Sequence, residues 1–113
     1  MAEPKGLFSI VYSRFGRLAY PEVSGFTIGS AARQILKDDA DRVQYIIFNT
    51  GDYPVFVGWS PDVSQTKGVR IPEKGGSFSA NWEEDGILPA YGVWAVAPFG
   101  NTTVYILEIR LGR

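Results

Sequence analysis

The chain has no cysteine and no histidine among its 113 residues. Without cysteine it forms no disulfide, offers no thiolate nucleophile and builds no thiol-ligated zinc site, so cysteine says nothing of its redox compartment. Without histidine, every mechanism resting on imidazole is excluded, from Ser-His-Asp catalysis to a His-ligated metal. Charge of neither sign is in surplus: eleven Lys and Arg face twelve Asp and Glu, for a net charge of −1. Sequence-independent nucleic-acid binding needs a basic surplus, so no nucleic-acid partner is expected. No apolar run approaches the roughly 20 residues that span a bilayer, so no membrane partner is expected either. Met1 to Lys5 leads into no signal-type apolar segment, and the reading expects no Sec-type secretion signal. These absences favour structure or binding over chemistry. The expectation is a non-enzyme with no catalytic residues, no cofactor and no metal.

Aromatic residues are abundant, with seven Phe, six Tyr and three Trp, and thirteen Gly and seven Pro punctuate the chain. Apolar residues make up 45%, enough for a packed core in one domain. Their spacing is that of strands, since few windows repeat at three and four residues. Val43 to Asn49 is the clearest strand, with Val43, Tyr45 and Ile47 on one face and Arg42, Gln44, Ile46 and Phe48 on the other. Thr50 to Pro54 is a turn and Val55 to Trp59 an apolar strand, so residues 43–59 are expected to form a hairpin. Val69–Ile71 is a short strand stopped by Pro72. Ser77 to Trp82 alternates, with Phe78, Ala80 and Trp82 on one side. Ile87–Ala90 reads as an extended piece, Gly92–Ala97 as a strand, and Thr102–Leu111 as the longest strand, with Tyr105, Leu107, Ile109 and Leu111 as its inner face. Upstream, Leu7–Tyr12 and Gly25–Gly29 are strand candidates, and Ser30–Lys37 fits a strand or a brief helix capped by Ser30.

Seven or eight short strands with turns every 8–12 residues or so indicate an all-β fold, an antiparallel β-sandwich or small barrel of jelly-roll-like type. Residues 1–29 are read as an N-terminal arm or first strands, and residues 30–113 as the β-sandwich domain.

The polar clusters read as turns. Asp38, Asp39 and Asp41 lack the spacing of a calcium loop. Glu83, Glu84 and Asp85 are adjacent in one turn, which seldom places carboxylates across a substrate. Gly75-Gly76-Ser77 lacks the Lys-Ser/Thr ending and following helix of a phosphate loop and reads as a hairpin turn. Trp82 falls on an apolar strand face and suits the core. Trp59 and Trp94 are candidates for an interface, or for a sugar-stacking platform with Tyr53 and Tyr91. The N-terminal stretch interleaves apolar and aromatic residues with Arg14 and Arg17, the composition of an interface core. Strands 43–49 and 102–111 turn apolar on both faces (Ile46 and Phe48; Val104 and Ile106), and a single domain core covers one face only. The second face calls for the N-terminal segment or another subunit. The candidate interface residues are therefore Phe8, Tyr12, Arg14, Phe15, Arg17, Ile46, Phe48, Trp59 and Trp94.

From Arg42 onward the order of signals is more specific. Arg42 precedes Ile46-Ile47-Phe48-Asn49; then come Val55-Phe56-Val57-Gly58, Thr66-Lys67-Gly68, Ile71-Pro72, Gly75-Gly76-Ser77, Tyr91 to Ala97, and Thr102 to Glu108. This order, over about the last two-thirds of the chain, resembles small β-sandwich structural proteins of tailed-phage and related virus particles. The resemblance implies a head-decoration, head-fibre or tail component, usually oligomeric, with no catalytic motif to carry over. The expectation is a capsid decoration or cement-type subunit in the virion, made in the host cytoplasm. Its partners would be further copies of itself, taken as a trimer, and a major capsid or other virion protein. The alternative is a carbohydrate-binding β-sandwich module.

Overall fold

The fold is that of a computed structural model whose described residues are 14–112. Eight strands run β1 (Ala19–Ile28), β2 (Arg33–Leu36), β3 (Arg42–Asn49), β4 (Val55–Gly58), β5 (Val69–Ile71), β6 (Gly76–Asn81), β7 (Val93–Val96) and β8 (Thr102–Leu111). A one-turn helix, α1 (Trp82–Asp85), and a 3-10 turn at Leu88–Ala90 lie between β6 and β7. The strands form two four-stranded antiparallel sheets: the first is ordered β1-β8-β3-β6, the second β2-β7-β4-β5.

The pairing is nested. β1 pairs with β8, β2 with β7, β3 with β6, and β4 with β5. A long hairpin folded over on itself gives this pattern, and the result is the eight-stranded jelly roll, in line with the all-β expectation. Between the sheets lie Tyr45, Ile47, Val104, Ile106, Ala80 and Ile28 from the first, and Ile35, Val55, Val57, Ile71, Val93 and Ala95 from the second. Fully burying each Val or Ile contributes about 1.5–3 kcal/mol.

Several expectations need correction. Residues 43–59 are not a hairpin: β3 lies in the first sheet and β4 in the second. Thr50–Pro54 has the length of a hairpin turn, but both strands carry inward residues that pack face to face rather than side by side. Asn49 fixes the crossover. Its side-chain amide donates to the carbonyls of Tyr53 (2.8 Å) and Ile71 (3.2 Å), and its oxygen accepts from the Gly51 amide and the Thr102 hydroxyl. Gly51 has no room for a side chain, because a Cβ there would strike Thr102 and the backbone of Thr103. Residues 72–75, read as a hairpin turn, likewise cross from the second sheet to the first, with the Gly75 amide donating to the Asn49 carbonyl. Only β4 and β5 are consecutive strands of one sheet.

The inner face of β8 is the reverse of the one expected, except that Leu111 at the strand's end is buried as expected. Thr102, Val104 and Ile106 point into the core, while Tyr105 points out. Alternation alone is ambiguous where both sets are apolar. What Glu108 meets inside is Arg42, which lies on β3 with only 4% of its surface exposed and not on the face of Gln44, Ile46 and Phe48. Ile87–Ala90 is not extended. Pro89 suits the tight 3-10 turn, whose amides at Ala90 and Tyr91 donate to Ile87 and Leu88. Trp82 opens α1 instead of closing a strand, and it is half-buried at the margin rather than in the core. Residues 33–36 of the ambiguous stretch are strand, and residues 19–28 form a ten-residue strand where five residues were read. The strand read at Leu7–Tyr12 lies outside the described residues.

Candidate functional site

The two sheets turn very different outer faces to their surroundings. On the second sheet, Phe56, Trp94 and Val96 point outward, and the loop after β4 folds Val63 over them. Phe56, Val63 and Val96 are each only 6% exposed. Phe99 packs edge-on against Phe56, with ring centres 6.3 Å apart. That face is largely covered by its own chain.

The outer face of the first sheet is built in rows of cross-strand neighbours. Pro21, Ile109, Gln44 and Asn81 make one row; Val23, Leu107, Ile46 and Ser79 the next; Gly25, Tyr105, Phe48 and Ser77 the third. None of these twelve positions carries a charge. Val23 is 71% exposed, Tyr105 47% and Phe48 38%. Gly25 leaves space for the Tyr105 ring, since a Cβ there would lie 3.0 Å from it. Strand spacing of ~4.8 Å and a two-residue repeat of ~6.8 Å give this face an area on the order of 400 Å². That is the size of the largest such patch on an ordinary monomer, which is often a functional surface.

The chain enters the described fold along one end of this sheet. Arg14 lies over the Trp82 ring, 4.9 Å from its centre, and Phe15 meets the same ring edge-on at 5.1 Å. Arg17 pairs with Asp41 at 2.8 Å, and the Leu18 carbonyl accepts from the Gly112 amide. Residues 14–18 thus cross from the end of β6, past the start of β3, to the end of β8.

Charges concentrate at this end. Arg42 donates through Nε to the Pro89 carbonyl (2.8 Å), through Nη2 to Lys37 (2.7 Å) and Tyr91 (3.0 Å), and through Nη1 to Glu108 (3.1 Å). Three of its partners lie beside second-sheet strands, so one guanidinium ties the two sheets. Arg110 pairs with Asp39 at 2.7 Å and Glu22 at 3.4 Å, and the Asp39 carboxylate holds its pKa further above the ordinary arginine value. Asp38 accepts from the Gly92 amide and Asp39 also from the Asp41 amide. The three aspartates are turn and ion-pair elements, and among the described residues no cluster of three potential metal ligands occurs. Asn81 caps α1 by accepting from the Glu84 amide, and Asp85 accepts from the Asn81 amide in return. Among the described residues, the buried Tyr45 hydroxyl has no partner at full hydrogen-bond geometry; burial pushes its pKa up, and the neighbouring Trp59 indole opposes the shift in part.

The structure separates the predicted interface residues into groups. Ile46 and Phe48 lie on the open face. Arg14, Phe15 and Arg17 lie along its end. Trp59 and Trp94 belong to the second sheet, Trp59 edge-on to Phe78 at 6.0 Å and Trp94 packed into the covered cluster. Phe8 and Tyr12 lie outside the described residues. The aromatic residues of the sugar-binding alternative do not gather: Tyr53 packs over Gly100 at one end of β4, and Trp59 follows its other end. A shallow cavity of about 540 Å³ beside Trp59 is lined by Ser60, Asp62, Lys67 and Val69. There the Ser60 hydroxyl, then Lys67, lower the Asp62 pKa. Sequence reading missed Val23, Tyr105, Leu107 and Ile109 as surface residues. The available signal was that β8 is apolar in both alternating sets.

No family model matches the chain, and no curated protein matches it in sequence. Its fold is similar to a chain in a solved structure described as "Bacillus endospore appendages form a novel family of disulfide-linked pili". The TM-score is 0.53 at 14% identity, over 83% of this chain and 86% of that one. At that identity the likeness establishes a shared fold.

Proposed function

We propose that this protein is a non-enzymatic structural subunit that assembles with copies of itself into a particle or surface appendage. The observation that carries this reading is the uncharged, open outer face of the first sheet on an otherwise closed jelly roll. The fold likeness to a pilus protein supports the appendage form. The motif order from Arg42 onward supports the capsid-decorating form, with a major capsid protein as further partner and the virion as location. The mechanism is common to both: a rigid sandwich offers apolar surface, Arg14, Phe15 and Arg17 hold the start of the fold against its own sheet end, and the segment before them, with Phe8 and Tyr12, latches onto neighbours. The similar pili are described as disulfide-linked; this chain has no cysteine, so disulfides play no part in its own links.

The energetics suit repetition. A contact that buries ~400 Å² on each partner, about half of it apolar, contributes about 10 kcal/mol. Association costs about 4–15 kcal/mol. One such contact is marginal, and several per subunit hold by avidity. The test is the native mass of the full chain by light scattering, on dilution from micromolar concentration. An assembly, with a trimer as the expected unit, supports the reading. A monomer at every concentration overturns it.

A further inference from the structure

We infer that the outer face of the first sheet is the seat for residues 7–12 of a second copy of this chain. The inference rests on the self-assembly reading above and names the surface and its occupant.

The face and the segment match in chemistry. Leu7-Phe8-Ser9-Ile10-Val11-Tyr12 carries no charge and is made of strand-favouring residues with one small polar one. The face it would cover is also uncharged, with Val23, Leu107, Ile46, Phe48 and Tyr105 between margins of Ser, Thr and Asn. A charged partner would find nothing to pair with there. The match in size points the same way. A second sandwich laid flat would bury on the order of 400 Å² a side, about half of the ~800 Å² typical of a stable interface. Six extended residues reach ~20 Å, close to the width of four strands with their side chains. Laid across the four strands they cover the middle row, Val23, Leu107, Ile46 and Ser79, without needing a second rigid surface to fit it.

The direction of the chain selects another copy. Traced backwards from Leu18 to Arg14, the backbone crosses the whole end of the first sheet, from the β8 side to Trp82 beyond β6. At Arg14 it has therefore passed its own sheet. Residues 13 to 7 would have to reverse to lie on that sheet, whereas continuing onward takes them ~24 Å further, towards a neighbour.

The absence of cysteine makes the test clean. Full-length Ser9→Cys is mixed with full-length, mass-tagged Val23→Cys and mildly oxidised. Ser9→Cys with Arg70→Cys, on the outer face of the second sheet, is the control pair. The expected result is a mixed disulfide dimer in at least tenfold excess over the control. If Val23→Cys folds poorly, Ser79→Cys on the opposite margin of the same face replaces it. Equal yields from the two pairs, or no mixed dimer while light scattering still shows assembly, overturns the seat and leaves the self-assembly reading standing. Closure of Ser9→Cys/Val23→Cys within one chain, with no mixed dimer from the separate variants, overturns the second copy as occupant. A wild-type protein monomeric at every concentration overturns both.

Discussion

The two outer faces of this jelly roll began from the same sequence problem and reached different ends. Both sheets carry strands that are apolar on two sides. On the second sheet the ten-residue connection between β4 and β5 supplies Val63, which closes Phe56 and Val96 away from water. On the first sheet the short Thr50–Pro54 and Pro72–Gly75 connections spend themselves crossing between sheets, and Val23, Phe48 and Tyr105 stay open. Connection length thus decides which apolar face a small sandwich can cover for itself. The face left open among the described residues is where a covering segment adds most.

The comparison holds only if the sandwich stands as a frame independent of both faces, and Arg42 tests the frame. Arg42→Met leaves Glu108 without its cation and the carbonyls of Lys37, Pro89 and Tyr91 without a donor. Removing one partner of a buried pair costs about 3–5 kcal/mol. Urea unfolding should show a loss of that size, the largest expected for any single surface-neutral change. A loss under ~1 kcal/mol would mean that the two sheets do not depend on this tie.

The covered face is tested by Val96→Ser. The substitution exposes no new space to water and buries a hydroxyl beneath Val63 and Phe56. Lost apolar burial and an unpaired polar group together cost about 2–3 kcal/mol. Assembly, measured by native mass under conditions where the variant is folded, should be unchanged. Loss of assembly with full stability would reverse the roles of the two faces.

Tyr45→Phe changes the interior and neither face. The hydroxyl meets no partner at full hydrogen-bond geometry but has the Trp59 indole beside it, so relief of its burial and loss of that weak contact should nearly cancel, and stability should change by less than about 1 kcal/mol. The pH dependence has a definite sign. Burial raises the folded-state pKa of Tyr45 above its ordinary value of 10.0. Above pH ~10 the unfolded chain loses this proton first, the folded state binds more protons, and stability falls as pH rises. Alkaline unfolding curves of the wild type should carry this slope, and Tyr45→Phe should lack that share of it.

Much of this architecture was legible before the structure. Alternation in Val43–Asn49 placed Tyr45 and Ile47 in the core, and the count and spacing of strands gave the all-β sandwich. The doubly apolar strands signalled an uncovered face. The failures share one cause, which is that a strand pattern carries no information on which sheet a strand joins. Five residues at Thr50–Pro54 suit a hairpin and a crossover equally well. The choice is made by Asn49, whose partner Ile71 lies on the other sheet. The faces of β8 were inverted because Tyr105, Leu107 and Ile109 are as apolar as Val104 and Ile106. Glu108, a charged residue on the face opposite Tyr105, Leu107 and Ile109, faces inward to meet an arginine 66 positions away. Of the open face, Ile46 and Phe48 were readable from their own strand. Val23 and Leu107 became its neighbours only through the pairing of β1 with β8 and β8 with β3.

The smallest expected effect on stability discriminates best between the faces. Val23→Ser is the same chemical change as Val96→Ser, made on the other outer face. Val23 is 71% exposed at the edge of the first sheet, so the isolated domain gains little from its side chain. Its removal should shift unfolding by about 0.5 kcal/mol or less, the range of ordinary surface substitutions with a small loss of strand propensity. Its neighbours across the sheet are Leu107 and, one strand further, Ile46, so the change falls in the middle row of the open face. If that face is where copies meet, native mass should fall towards the monomer at concentrations where the wild type is assembled, although the fold is intact. The pair of valines then gives opposite results: Val96→Ser weakens the fold and spares assembly, Val23→Ser spares the fold and weakens assembly. Equal effects of the two substitutions on both measurements would show that the faces do not differ in role, whatever their exposure.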